Sequence, residues 1–238
     1  MADSKGIWLG IVSVVLAIGL VMSVWQGVAK TQGPDLIVTG SAQMEVAPDQ
    51  AVIFVSVETT AKTSLESQQS NALTSEQVLA ALKAIGLDDK SMQTSAYSIT
   101  PEYYYPQNGP PQLTDYKTTN TLKLTIHDVA KVGQIIDTAS SSGANRIDNI
   151  QFQLSDSTSE RMRQVVLNNA VGNAKLKAIA MVSALSLSLG EVKQISESSY
   201  QVVPFVYQLS KDTAAQSATP IQPGTVEVSA QVSVTYNI

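Results

Sequence analysis

Thr225-Val226-Glu227-Val228-Ser229-Ala230-Gln231-Val232-Ser233-Val234-Thr235-Tyr236-Asn237 closes the chain and decides its fold class. Val226, Val228, Ala230, Val232 and Val234 alternate with Glu227, Ser229, Gln231 and Ser233. A period of two puts the first set on a buried sheet face and the second in water. One dry face and one wet face predict an antiparallel sheet covered by helices on a single side. The segment before it supplies such a helix. Ser157 and Glu160 have capping-box spacing, Val166, Ala170, Ala174, Ala178, Met181 and Leu185 follow at helical spacing, and Gly190 is the expected stop. Consecutive alanines on that stripe imply a close approach to whatever the helix covers.

Working back toward the N-terminus, the same order recurs. Ala51–Thr60 contains Val-Ile-Phe-Val-Ser-Val, a strand joined to an earlier one carrying Leu36, Val38 and Val46 by the turn Ala47-Pro48-Asp49. A helix capped by Thr63 and Glu66 is expected to bury Leu65, Ala72, Leu79 and Leu82 and to stop at Gly86. Strands are expected at about Met92–Tyr105, Tyr116–His127, Arg146–Leu154, Glu191–Val203 and Thr225–Asn237. Between the second and third of these, Asp128 caps a short helix with Val129, Val132, Ile136 and Ala139 inward and Gly143 at its end. The expected fold is α+β: an N-terminal transmembrane helix followed by two β-α-β-β units, with mainly antiparallel sheets and a short connecting helix. Residues 1–30 form the anchor, 31–34 a linker and 35–238 the domain, with pseudo-repeats over about 50–127 and 146–238.

The anchor is read from charge. No charged residue occurs over the 24 positions from Gly6 to Ala29. As a helix this run is roughly 36 Å long, enough for a hydrocarbon core of roughly 30 Å. Trp8 and Trp25, the only two Trp residues, flank it as interfacial anchors do. A cleaved signal has an apolar core of about 7–15 residues followed by a small-residue cleavage triplet. The run here is longer, and Gln26-Gly27-Val28-Ala29 lacks that triplet. The Ser-, Thr-, Gln- and Asn-rich remainder after so short a tail favours a membrane-anchored domain on the extracytoplasmic side. A secreted or periplasmic protein after signal cleavage is the alternative.

Composition narrows the function. The chain has 238 residues, net charge −5, 44% hydrophobic and 15% charged residues, which excludes a charged disordered tail, a collagen and a multi-span membrane protein. A sequence pI near 4.9 offers no basic field, so nucleic acid is not an expected partner. Zero Cys excludes disulfides, Cys-ligated zinc and a thiol nucleophile, and the single His excludes a His-rich metal site.

Several residues merit weighing one by one. His127-Asp128 is the one His/carboxylate neighbour pair, but Asp128 is already needed as a helix cap. Asp88-Asp89-Lys90 lacks the alternating oxygen ligands and distal Glu of a calcium loop. Arg146 could bind an anion, yet Gly143 and Asn145 beside it are what a helix-to-strand turn needs. Arg161 and Arg163, near a helix N-terminus that disfavours cations, imply an acidic partner, in this chain or on a neighbouring subunit. No catalytic, cofactor or metal site is expected.

The aromatic tips carry more. Tyr103-Tyr104-Tyr105-Pro106 alternates faces, so at least one ring is exposed unless covered. The second unit places Tyr200, Pro204, Phe205 and Tyr207 at the equivalent point. Exposed Tyr beside Pro suits protein–protein contact, so Tyr103, Tyr104, Tyr105, Pro106, Phe205 and Tyr207 are the candidate contacts between copies; the alternative is that each tip folds back on its own sheet.

These motifs together resemble a known family. Ile37-Val38-Thr39-Gly40-Ser41-Ala42, Ala47-Pro48-Asp49-Gln50-Ala51, Thr94, Ile99-Thr100-Pro101-Glu102-Tyr103, Ser142-Gly143-Ala144-Asn145-Arg146-Ile147, Phe152 and Leu189-Gly190-Glu191-Val192 are similar in order and spacing to the SIMPL-domain family, over about Asp35 to Ile238. The resemblance implies an extracytoplasmic or membrane-attached α+β protein of bacteria or archaea that forms ring-like or channel-like homo-oligomers. Some members are linked to oxidative-stress defence, and the family supplies no established catalytic residues. The expected function is a non-enzymatic, membrane-anchored envelope protein that self-assembles into a ring-like or larger homo-oligomer. Its expected partners are further copies of itself and the lipid bilayer through residues 6–29. A ligand- or partner-binding envelope module is the alternative.

Overall fold

The computed structural model describes residues 33–207 and 221–238. The chain runs β1 (Asp35–Val46), β2 (Gln50–Ala61), α1 (Ser64–Ala84), β3 (Met92–Tyr104), β4 (Gln112–Ile126), α2 (Val132–Ser141), β5 (Arg146–Gln153), α3 (Asp156–Ala184), β6 (Val192–Val203), β7 (Phe205–Tyr207) and β8 (Val226–Asn237). A five-stranded sheet has the order β3-β4-β2-β5-β7, and a three-stranded sheet the order β1-β8-β6. Every strand pair is antiparallel. The fold is α+β, with two antiparallel sheets and three helices among the described residues.

β8 alternates as its sequence requires, with Val226, Val228, Ala230, Val232, Val234 and Tyr236 all buried. Its partners correct the expected grouping. The β-α-β-β order holds along the chain, but the sheets do not divide between the two units. β5, first strand of the second unit, leaves its own unit and pairs with β2, while β1 takes the vacated place beside β8. α3 therefore covers β1 and β8 much as α1 covers β2 and β4. β1 and β2, joined through Ala47-Pro48-Asp49, lie in different sheets.

Asp49 shows what that crossing needs. Its carboxylate accepts hydrogen bonds from Ser155 N (2.6 Å), Ser155 Oγ (2.7 Å) and Thr158 Oγ1 (2.6 Å). Burial works against its ionisation, but the bonds from Thr158 and Ser155 prevail and hold the carboxyl below its ordinary value. A negative charge at a helix N-terminus is also favourable. The N-cap of α3 is Ser155, which accepts from Thr158 N, and not the expected Ser157. Ser157 and Glu160 have the right spacing but begin two residues late, because the carboxylate that organises this turn comes from a distant loop.

α3 buries Val166, Ala170, Ala174, Ala178 and Val182. Met181 and Leu185, expected on the stripe, are exposed; Val182 replaces them because the stripe continues four residues beyond Ala178. The alanines allow contact with β1 so close that a Cβ on Gly40 would lie 2.1 Å from Ala170 O and 2.7 Å from Ala174 Cβ. Gly190 does not stop α3: the helix ends at Ala184, and Gly190 instead packs against the end of β8, where its N–H donates to Asn237 O (2.8 Å).

α1 has the expected cap, Thr63 accepting from Glu66 N, and Gly86 follows it at φ 97°. Its buried face is Ser67, Asn71, Ser75, Val78 and Leu82, whereas Leu65 and Ala72 face solvent and Leu79 is half-buried. The stripe is rotated because its first half is polar. Asn71 Nδ2 donates to the carbonyls of Val57 (2.8 Å) and Thr118 (3.2 Å), and Ser67 Oγ donates to Thr59 O (2.9 Å). Thr59 Oγ1 returns a bond to Ser67 O (2.8 Å), and Asn120 Nδ2 reaches Ser75 Oγ (3.0 Å). Buried polar groups are tolerated when they find partners, and apart from Asn120 Oδ1 these do so by lacing α1 to β2 and β4. The apolar core lies further along, where Ile53, Val55, Leu82, Leu122, Leu124, Ile135, Ile150 and Phe152 pack under α1 and α2.

α2 is preceded by a 3-10 turn, Val129–Lys131, which Asp128 caps by accepting from Ala130 N; Val132, Ile135, Ile136 and Ala139 are buried. Gly143 ends it at φ 119°. Among the described residues no helix is long and apolar enough to cross a membrane. The expected transmembrane helix, with Trp8 and Trp25, lies outside the described residues.

Candidate functional site

The residues singled out for chemistry separate in space. His127 is exposed at the end of β4, and Asp128 beside it is committed to the helix cap and to Lys131 (3.8 Å). Asp88 accepts from Ser91 N (2.8 Å), which lowers its pKa, while Asp89 pairs with Lys83. Among the described residues no group of three His, Cys, Asp or Glu side chains could hold a metal.

Arg146 is paired twice within the chain. Its Nη1 bonds Glu58 (3.0 Å) and its Nε bonds Asp148 (2.6 Å), and these two carboxylates raise its pKa and offset the charge that an anion would seek. Glu58 in turn is lowered by the bond from Lys117, against burial, with Arg146 adding to it. Asn145 explains the rest of the motif. Its Oδ1 accepts from Glu58 N (2.9 Å) and its Nδ2 donates to Glu58 O (2.7 Å), so one side-chain amide imitates the next rung of the β2–β5 ladder. Arg163 finds its acidic partner within its own chain: Glu197 accepts at 2.9 and 3.1 Å, raising the Arg163 pKa, and the guanidinium lies 5.1 Å over the Tyr200 ring.

The two aromatic tips differ. β3 and β4 pair from Met92↔Leu124 to Tyr104↔Gln112, but β2 pairs with β4 only as far as Ala61↔Tyr116. Beyond that point the β3–β4 hairpin continues alone as an arm. Tyr103, Tyr104 and Tyr105 on it are 46%, 60% and 72% exposed, and Pro106 is half-buried. Of the 13 residues of β3, Met92 alone is buried. β3 is also an edge strand of the five-stranded sheet. Register places Tyr97, Ile99 and Pro101 opposite Asn120, Thr118 and Tyr116, so they share the α1 side of the sheet, up to the register shift between Glu102 and Tyr103. Tyr97 and Ile99 on that row, and Tyr103 and Leu113 beyond the shift, are exposed.

The second tip folds home. After Pro204, β7 adds to the far edge of the five-stranded sheet beside β5, with Phe205 opposite Phe152 and Tyr207 opposite Ile150. The Phe152 and Phe205 rings are 6.3 Å apart at 37°, and Phe205 and Tyr207 are half-buried against the core. Tyr200 Oη meets Ser159 O (3.1 Å). A separate feature lies on the helix-free face of the three-stranded sheet: an open depression of about 400 Å³ lined by Ser41, Gln43, Ser199, Gln201, Ser229 and Gln231, with Ala42 and Ala230. Sequence reasoning did not find it, although the Ser/Gln positions of β8 opposite its valines mark that face.

With this geometry in hand, comparison with known proteins places the chain. Residues 36–236 match the SIMPL family, described as a protein of unknown function (DUF541). The 26 kDa periplasmic immunogenic protein of Brucella melitensis biotype 1 is 30% identical over 217 residues, covering 87% of this chain and 86% of that protein. The uncharacterized protein YggE of Escherichia coli (strain K12) is 23% identical over 211 residues, covering 87% and 84%. YggE of Edwardsiella ictaluri is 22% identical over 237 residues, covering 94% and 98%. The chain belongs to the SIMPL family.

Proposed function

We propose that this SIMPL-family protein is a non-enzymatic, membrane-anchored extracytoplasmic protein that self-associates through its β3–β4 arm into a ring-like homo-oligomer. The observation that carries the reading is the arm itself. Three tyrosines and an open edge strand stand clear of the sheet, and nothing among the described residues covers them. An unpaired strand edge is a template for another chain, and exposed tyrosines give contact area at low entropic cost. β3 carries no Lys, and between its register shift at Thr94/Ala96 and Pro101 the stretch Ala96–Thr100 leaves an uncharged, unbroken edge. An extracytoplasmic location is supported by the Brucella relative, which is named as a periplasmic protein. Membrane attachment is supported by the uncharged run Gly6–Ala29. The ring form and any link to stress defence rest on the family resemblance.

Light scattering of the full chain in mild detergent tests the reading. A particle of several subunits is expected, falling toward one subunit when Tyr103, Tyr104 and Tyr105 are changed to Ser. A strict monomer at high concentration overturns it. The Ser/Gln-lined depression favours a second reading, a module that captures a neutral polar ligand or partner. That reading predicts retained monomeric mass together with saturable ligand binding lost on changing Gln201 and Gln231.

A further inference from the structure

Single exposed leucines need no explanation, but a cluster at one end of a domain does. Ser183-Ala184-Leu185-Ser186-Leu187-Ser188-Leu189-Gly190 contains no charge. α3 stops at Ala184, and Ser186 takes φ 54°, the one positive φ at a non-glycine among the described residues. The N–H of Leu187 reaches back to Val182 O (2.9 Å), which closes the turn. Leu189 packs inward beside Val38, Val234 and Tyr236. Leu185 and Leu187 point the other way and are 69% and 48% exposed. Val192, two residues beyond the loop at the start of β6, is 49% exposed.

This end of the domain is where the chain enters from its N-terminal run. Gly190 N donates to Asn237 O (2.8 Å), Asn237 pairs with Asp35, and Ile238 N donates to Pro34 O (3.0 Å). Pro34 is thus fastened next to the loop. Only four residues separate Ala29, the last of the uncharged run, from Pro34, so the reach is at most about 18 Å even when fully extended. The headgroup zone on each side of a bilayer is roughly 5–7 Å deep. A domain tethered so tightly holds this end at the membrane surface. Of the charges at this end, Asp35 pairs with Lys193, while Glu191 is exposed and marks the side of the patch that stays in water.

We propose that the Ser183–Gly190 loop is a bilayer-contacting foot, with Leu185 and Leu187 seated at the headgroup–acyl boundary of the leaflet that Gly6–Ala29 leaves, and Val192 beside them. The foot rests on the anchored reading above. It adds a second, peripheral contact that sets the tilt of the domain, because the tether fixes one point and the two leucines fix another. Interfacial contact of this kind needs an apolar face that enters the boundary and polar groups beside it that stay in water.

The Cys-free sequence makes the test direct. Full-length Leu187→Cys and Asp156→Cys each carry one environment-sensitive fluorophore and are reconstituted into phosphatidylcholine vesicles. Asp156 is exposed at the opposite end of α3, roughly 43 Å away by helical rise. Both variants are expected to float with the vesicles. The label at position 187 is expected to shift to shorter wavelength and to be quenched by a shallow, lipid-attached quencher, while the label at 156 is not. Flotation with identical, unquenched spectra at both positions overturns the foot and leaves the anchor standing. Failure to float overturns the anchored reading and the foot with it.

Discussion

The β3–β4 hairpin and the β6–β8 connection begin from the same pattern, a strand running into aromatic residues beside a proline, and finish in opposite states. In the first, Tyr103, Tyr104 and Tyr105 stand in solvent; in the second, Phe205 and Tyr207 lie against the core. Local sequence does not separate them. What separates them is the presence of a receiving edge. β5 offers an unpaired side with Phe152 opposite the incoming Phe205, and β7 takes it. The first arm outruns β2 at Ala61 and meets no further strand among the described residues. Aromatic tips are buried where the topology leaves an edge within reach and exposed where it does not.

This contrast can be broken at several points. The largest effect is expected at Gly40. Gly40→Val would force α3 off β1 and loosen the sheet that launches the second tip, at a cost of more than about 3 kcal/mol, read as a fall in the urea midpoint. The first arm, in the other sheet, would keep its amide protection. Next comes Phe205→Ala, which removes the ring that seats β7. It should cost about 2–3 kcal/mol, below the range for a fully buried Phe because the ring is half-covered.

Asp49→Asn tests the joint between the sheets. Loss of charge-assisted bonds to Ser155 and Thr158 should cost about 1–2 kcal/mol once solvent screening is allowed for. The folded pKa of Asp49 is depressed, so its contribution is complete above the unfolded value of about 3.9 and is lost as pH falls through the folded value. Wild type should therefore lose more stability than Asp49→Asn on acidification from neutral pH to about pH 3. Equal losses would assign the joint to packing alone. The smallest effect on stability belongs to Tyr105→Ala, within about 0.5 kcal/mol, because the ring touches solvent. A large loss there would mean that the arm is held by its own chain after all.

Legibility in the sequence followed the same division between local and distant causes. Strands with clean alternation, such as β8, and caps made by adjacent residues, such as Thr63 and Asp128, were readable within a few positions. Three features were not. The polar face of α1 hides in Ser67, Asn71 and Ser75, whose four-residue spacing is helical but whose chemistry reads as surface until Thr59 and Thr118 are seen to satisfy it. The cap of α3 depends on Asp49, more than a hundred positions away. The exchange of β1 and β5 between sheets leaves every local pattern unchanged, so no local pattern can report it. For the candidate site, alternation indicated that a ring in Tyr103-Tyr104-Tyr105 would be exposed, but not which of the two tips would be received by an edge.

Hydrogen exchange of the full chain at low and high protein concentration compares the two tips most directly. Self-association through the first arm predicts that amides of Tyr97–Tyr104 gain protection as concentration rises, while those of Phe205–Tyr207 stay as they are. Unchanged exchange along β3, or a gain confined to β7, would contradict the account.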